Sequence, residues 1–81
     1  MFAMPEGPST DVIAIRAHVR EAEHAARRLI VRAAHLEKLA RRPRTDPTER
    51  LSLDARAVEL RADARALLAE VSELSGQVMA A

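Results

Sequence analysis

Residues 12–40 read VIAIRAHVREAEHAARRLIVRAAHLEKLA, and the spacing of their apolar members decides the fold. Small or aliphatic residues recur along this stretch at steps that alternate between three and four. This spacing predicts an α-helix with one continuous apolar seam that packs against another helix. The seam consists of Val12, Ile15, Val19, Ala22, Ala26, Leu29, Ala33, Leu36 and Ala40.

A second stretch, residues 53–78, repeats the pattern with alternating steps of four and three. Its seam consists of Leu53, Ala57, Leu60, Ala64, Leu67, Val71, Leu74 and Val78. Two helices joined by a connection as short as residues 42–46 must lie antiparallel. We therefore predict an all-α fold: a two-helix antiparallel hairpin of the coiled-coil type.

The start of the first helix follows a stretch without apolar periodicity. Residues 1–9, with two prolines and one glycine, are predicted to form a flexible tail. Ser9, Thr10 and Asp11 are three successive candidates for the N-cap. The hairpin is accordingly predicted over residues 10–81, with its first helix over about 10–41.

The second helix has clear local signals at both ends. Asp46, Pro47 and Glu49 combine an N-cap, a proline at the first helical position and a capping-box acid. These signals predict a turn over residues 42–46 and a second helix that begins at Pro47. Gly76 is a candidate terminator, so the helix is predicted to end at about residue 76.

Two registers of the hairpin fit the sequence. In the first, each central layer opposes one alanine to one leucine, as in Ala33 against Leu60 and Leu36 against Ala57. The same register brings Glu37 near Asp54. A register shorter by one heptad also pairs leucines with alanines, so both stay open.

The composition limits how stable one such hairpin can be. The chain has 81 residues, no cysteine, and Phe2 as its only aromatic residue, so its core consists of aliphatic side chains. A core of this size supplies about 3–5 kcal/mol, and oligomerisation is a common remedy. Apolar residues also lie off the seams: Ile13, Ile30, Val31, Leu39, Leu51, Val58 and Leu68.

Ile30 and Leu68 flank the two seams and could extend the interface on one side. We expect a second hairpin to pack there, which gives a homodimeric four-helix bundle, or another helical protein to take that place. The predicted core and interface residues are Val12, Ile15, Val19, Leu29, Ile30, Leu36, Leu53, Leu60, Leu67, Leu68, Val71 and Leu74.

Charge is divided unevenly between the two arms. Residues 11–44 carry nine basic and four acidic residues, whereas residues 45–81 carry four basic and seven acidic ones. A cluster at the end of the first helix and in the turn comprises Lys38, Arg41, Arg42 and Arg44. This cluster makes a nucleic-acid-binding regulator the alternative functional hypothesis.

A lesser alternative is a metal site. Glu21 and His24 have the Glu-x-x-His spacing found in di-iron helical bundles, and His35 lies on nearly the same helical face. A symmetric dimer could bring two copies of this motif together into a di-metal carboxylate site. The second helix contains no matching Glu-x-x-His motif.

The sequence contains no recognisable catalytic triad, glycine-rich phosphate loop or zinc-ligand spacing. We therefore expect no catalytic residue and no cofactor, and a non-enzymatic helical interaction, scaffold or small regulatory module. No apolar run is long enough for a membrane span, and no secretory signal is evident. We expect a cytoplasmic protein, and the abundance of arginine and alanine suggests a bacterial source.

Overall fold

The computed structural model describes residues 7–80, and the side chains of residues 12–78. It contains two α-helices, α1 (Gly7–Ala40) and α2 (Pro47–Ala80), which pack against each other along their length. The predicted all-α hairpin is therefore confirmed. Neither helix, as described, has a stretch long and apolar enough to cross a membrane.

The two seams meet along the inside of the hairpin. Each of their seventeen residues is buried or half-buried. Alanines dominate the fully buried set, because their small side chains allow the two helix axes to approach closely. Leu60, with 2% of its surface exposed, is the one large side chain among the buried residues: Ala22, Ala26, Ala33, Ala40, Ala57, Leu60 and Ala64.

The contacts between the arms agree with the first register. Ala33, Ala57 and Leu60 form one buried cluster, against which Leu29 and Leu36 pack. The first register makes Leu60 the direct neighbour of Ala33, whereas the shorter register moves it one heptad away. The two arms are therefore aligned so that a leucine of one helix faces an alanine of the other.

The turn ends with the predicted cap of α2. The Asp46 carboxylate oxygen Oδ2 accepts hydrogen bonds from the backbone N–H groups of Thr48 (3.0 Å) and Glu49 (3.4 Å). Pro47 occupies the first position of the helix, where a missing N–H costs nothing. Local sequence signals thus determine where α2 begins.

The end of α1 is capped by groups that follow it in the chain. The Thr45 hydroxyl donates a hydrogen bond to the Leu39 carbonyl oxygen (2.8 Å), and the Arg50 Nε–H donates to the Ala40 carbonyl oxygen (2.9 Å). The Leu39 carbonyl oxygen also accepts a hydrogen bond from the backbone N–H of Arg42 (3.2 Å), so carbonyls of the last turn that the helix itself leaves unpaired are satisfied from the turn and from α2. Arg50 therefore ties the first turn of α2 to the last turn of α1.

Both helices extend further than the sequence indicated. The described part of α1 begins at Gly7, so Ser9, Thr10 and Asp11 lie inside the helix and do not cap its start at the expected place. Proline is well tolerated in a first helical turn, which accounts for the position of Pro8. Residues 1–6 of the predicted tail lie outside the described residues.

Gly76 does not end α2, which continues to Ala80. Glycine only weakens a helix, by about 1 kcal/mol, and tertiary contacts can outweigh that cost. Val78, two residues later, is half-buried at the end of the seam. Its burial favours continuation of the helix past the glycine.

The hairpin is elongated and exposes a large surface for its mass. The radius of gyration of its Cα atoms is 19.2 Å, whereas a compact chain of this length has about 12 Å. Its accessible surface is 6114 Å², whereas a compact monomer of 8.9 kDa exposes about 4800 Å². The hairpin therefore exposes about 1300 Å² more than a typical folded monomer.

Candidate functional site

Two contacts between the arms define the two sides of the hairpin. On one side, the Arg61 guanidinium donates two hydrogen bonds to the Glu37 carboxylate, at 2.8 and 2.7 Å. On the other side, His18 Nε2 lies 2.8 Å from Glu70 Oε1. We call these the Glu37 side and the His18 side.

The Glu37–Arg61 pair is the better-defined ion pair of the two. The hydrogen bond from Arg61 holds the pKa of the Glu37 carboxyl below its usual value, against a smaller opposing effect of burial. The positive charges of Arg61 and Arg41 lower this pKa further. The same hydrogen bond raises the pKa of Arg61. The pair therefore favours the charged form of both side chains.

Most of the exposed aliphatic residues share the Glu37 side. Ile30 precedes Glu37 by one heptad, and Leu68 follows Arg61 by one heptad, so both lie in the same rows as the ion pair. Val58, Leu51 and Ile13 lie in the adjacent outer rows of the same side. We call this set the aliphatic flank: Ile13, Ile30, Leu51, Val58 and Leu68.

The aliphatic flank is open to solvent. The exposed fractions of its residues are 67% for Ile13, 37% for Ile30, 72% for Leu51, 64% for Val58 and 43% for Leu68. Within the described residues, one further large aliphatic side chain is exposed, Val31 at 64% on the outward face of α1. Such a concentration on one side is suited to packing against apolar side chains of a further helix.

The His18 side has a different chemistry. Besides His18 and Glu70, its flanking rows carry Arg32, Arg56 and Asp63, all exposed. The predicted interface residues Ile30 and Leu68 both lie on the Glu37 side of the hairpin, whose flanking rows also carry Arg16, Glu23 and Asp54. The remaining predicted core residues line the seams, where Leu60 is buried and the others are half-buried.

A basic face covers the outside of α1 and the start of the turn. Arg27 and Arg28 lie two heptads before Arg41 and Arg42, and Lys38 lies between the two pairs. The helical hydrogen bond from the Arg41 N–H to the Glu37 carbonyl (3.2 Å) continues the α1 geometry into this region. All members are exposed. We define the basic face as Arg20, Arg27, Arg28, Lys38, Arg41 and Arg42.

Within residues 12–78, the ion pairs of the hairpin do not include residues of the basic face, although Arg41 lies close enough to Glu37 for its charge to lower the pKa of that carboxyl. Among the described residues, those between arginine and a carboxylate join Arg61 to Glu37 and Arg56 to Glu59. Both arginines belong to α2, although α2 is the more acidic arm. The acids of α2 therefore do not neutralise the basic face, and Arg44 of the turn is likewise exposed and outside these pairs.

The predicted metal ligands Glu21, His24 and His35 are exposed on the outer surface of α1. In the described part of the chain, no three or more His, Cys, Asp or Glu residues are grouped so that they could hold a metal ion. His24 and His35 instead border a shallow groove with Val31 and three arginines. A site shared between two copies of the chain stays a prediction.

Sequence reasoning missed two arginines that organise this geometry, Arg50 at the end of α1 and Arg61 opposite Glu37. Arg61 lies seven residues from Asp54, in the same heptad row, and that spacing could have suggested it as the neighbour of Glu37.

Comparisons of this chain with protein-family models, with curated proteins and with solved structures found no match.

Proposed function

We propose that this chain is a non-enzymatic helical interaction module, a scaffold or small regulator, that associates with a second copy of itself through the aliphatic flank. Two hairpins joined in this way form a four-helix bundle of the coiled-coil type. The observation that carries the proposal is the location of five exposed aliphatic side chains on one side of the hairpin.

The surface area supports association. An interface of standard size buries about 800 Å² on each partner. Such an interface would cover about an eighth of the 6114 Å² that each chain exposes. Burial of the flank would also add apolar area to a core that consists mainly of alanine.

The arrangement of the flank suits a two-fold symmetric pair. Along the hairpin, Val58 lies at nearly the same height as residue 35 of α1, and Leu51 lies nearer the turn. A two-fold axis across the middle of the flank would bring Val58 of one copy near Ile30 of the second copy. It would also bring Leu51 near Leu68 of the second copy. Four of the five flank residues would match in this way, as such symmetry requires, whereas Ile13 would lie beyond the turn of the second copy.

Two matched variants test the proposal. Val58 and Val31 are both 64% exposed, but only Val58 lies in the aliphatic flank. We expect sedimentation equilibrium at tens of micromolar to give twice the chain mass of 8.9 kDa for the unmodified protein and for Val31→Glu. Val58→Glu should sediment as a monomer, because it places a charge in the apolar contact.

Circular dichroism should show the same helix content in both variants, since neither valine contributes to the seam. A folded monomer for the unmodified protein would contradict self-association and leave a different helical protein as the candidate partner. A dimer for Val58→Glu would show that the aliphatic flank is not the interface.

A further inference from the structure

We infer that the basic face of α1 binds the phosphate backbone of duplex nucleic acid without reading its sequence. Arg20, Arg27 and Arg41 lie in the heptad row of Ile13, at the edge of the aliphatic flank, whereas Arg28, Lys38 and Arg42 lie in rows further from the flank and stay accessible when two hairpins associate through it. The bidentate ion pair between the arms joins an acid of α1 to an arginine of α2. The cations on the outside of α1 therefore stay available to an external anion.

The basic face is extended rather than compact. Arg27 and Arg28 are separated from Arg41 and Arg42 by fourteen residues, which correspond to about 21 Å along a helix. Phosphates of one DNA strand are spaced about 3.4 Å along the duplex axis, so this separation spans about six of them. A linear polyanion can therefore contact both arginine pairs at once.

Few acidic side chains lie beside the basic face, where they would repel such a ligand. On the outward rows of α1 between residues 20 and 42, Glu21 is the one carboxylate. His35 lies between Arg28 and Arg42 in the same heptad row and can donate a hydrogen bond to a phosphate. Arginine forms bidentate hydrogen bonds with phosphate, which favours it over lysine at such a surface.

Duplex nucleic acid fits this face better than an anionic membrane does. A helix that lies in a membrane surface needs an exposed apolar side. The seam of α1 faces α2, and its exposed Ile13 and Ile30 belong to the aliphatic flank. Val31 is the one large aliphatic residue on the outward rows of α1 between residues 20 and 42. Single strands are disfavoured because they need aromatic stacking residues, and the chain has one aromatic residue, Phe2.

The test measures binding of the full chain to a fluorescently labelled DNA duplex of mixed sequence as salt is varied. If four arginines each neutralise one phosphate, the slope of log K against log salt concentration is about −3.6. Affinity should then fall about 150-fold between about 50 and 200 mM salt. A duplex of a different sequence should bind equally well.

Two double variants with the same charge change locate the site. Arg28→Gln with Arg42→Gln should make the slope shallower by about 1.8, since two phosphate contacts are lost. Arg56→Gln with Arg65→Gln removes two exposed arginines of α2 and should leave the slope unchanged. Circular dichroism and sedimentation should be unaltered in both.

Three results would overturn the inference. The first is no measurable duplex binding at about 50 mM salt, where nonspecific electrostatic binding is strong. The second is an equal loss in the two double variants, which would show a general effect of net charge. The third is binding to phosphatidylserine vesicles together with no binding to the duplex, which would assign the basic face to a lipid surface.

Discussion

Replacement of Leu60 by alanine tests the hairpin core directly. Leu60 is 2% exposed and packs in the buried cluster with Ala33 and Ala57. The substitution removes three carbon atoms, which costs about 2.4 kcal/mol at about 0.8 kcal/mol for each. The cavity that is left adds to this cost, so we expect a total loss of about 3 kcal/mol in the free energy of unfolding.

A loss of this size is most of the stability that a small core provides, about 3–5 kcal/mol. Urea unfolding followed by circular dichroism measures it, at one fixed protein concentration because association would shift the transition. With a slope of about 1 kcal/mol per molar urea for so small a chain, the midpoint should fall by about 3 M.

Val31→Ala is the control, because Val31 is 64% exposed and lies outside both the seam and the aliphatic flank. Its effect should stay within about 0.5 kcal/mol. A fall of less than about 1 M for Leu60→Ala, or equal falls for the two variants, would refute the view that the seam holds the arms together.

Two further substitutions test the flanking features. The pKa of Glu37 is lowered in the folded state, so its contribution to stability is present above the ordinary value of 4.5 and is lost as pH falls through the lowered pKa. Glu37→Gln should therefore reduce the acid-induced fall of the urea midpoint. Equal pH profiles for this variant and the unmodified protein would exclude this role of the pair with Arg61. Gly76→Ala should raise the free energy of unfolding by up to about 1 kcal/mol, because a Cβ at this position meets no atom within 4 Å and alanine favours a helix. A decrease in the urea midpoint of this variant would contradict the expectation.

The fold was predictable because its main determinants are periodic or local. The seam positions follow from the heptad spacing, and the start of α2 follows from Asp46 and Pro47, which the structure shows as the cap and first residue. The boundaries were less predictable. A glycine such as Gly76 ends a helix only when no packing contact follows it. Val78 is half-buried, so packing continues beyond Gly76 and the helix does too.

The contacts on the two sides of the hairpin were predictable only in part, because they depend on how far long side chains reach. The register of the two backbones places Glu37 opposite Asp54. The guanidinium of Arg61 nevertheless reaches Glu37 from a position further along α2. Arg50 likewise caps α1 from ten residues away. These contacts depend on side-chain conformation across two elements, which heptad spacing alone does not specify.

The unequal burial along the hairpin gives it a direction of opening. All seven buried residues lie within residues 22–40 and 57–64, whereas Val12, Ile15 and Val78 at the opposite end are half-buried. The arms should therefore separate first at the chain termini, and backbone amides there should exchange with solvent sooner than those beside the turn. Folding should proceed in the reverse order, because contacts next to the turn close the shortest loops and so have the smallest entropic cost.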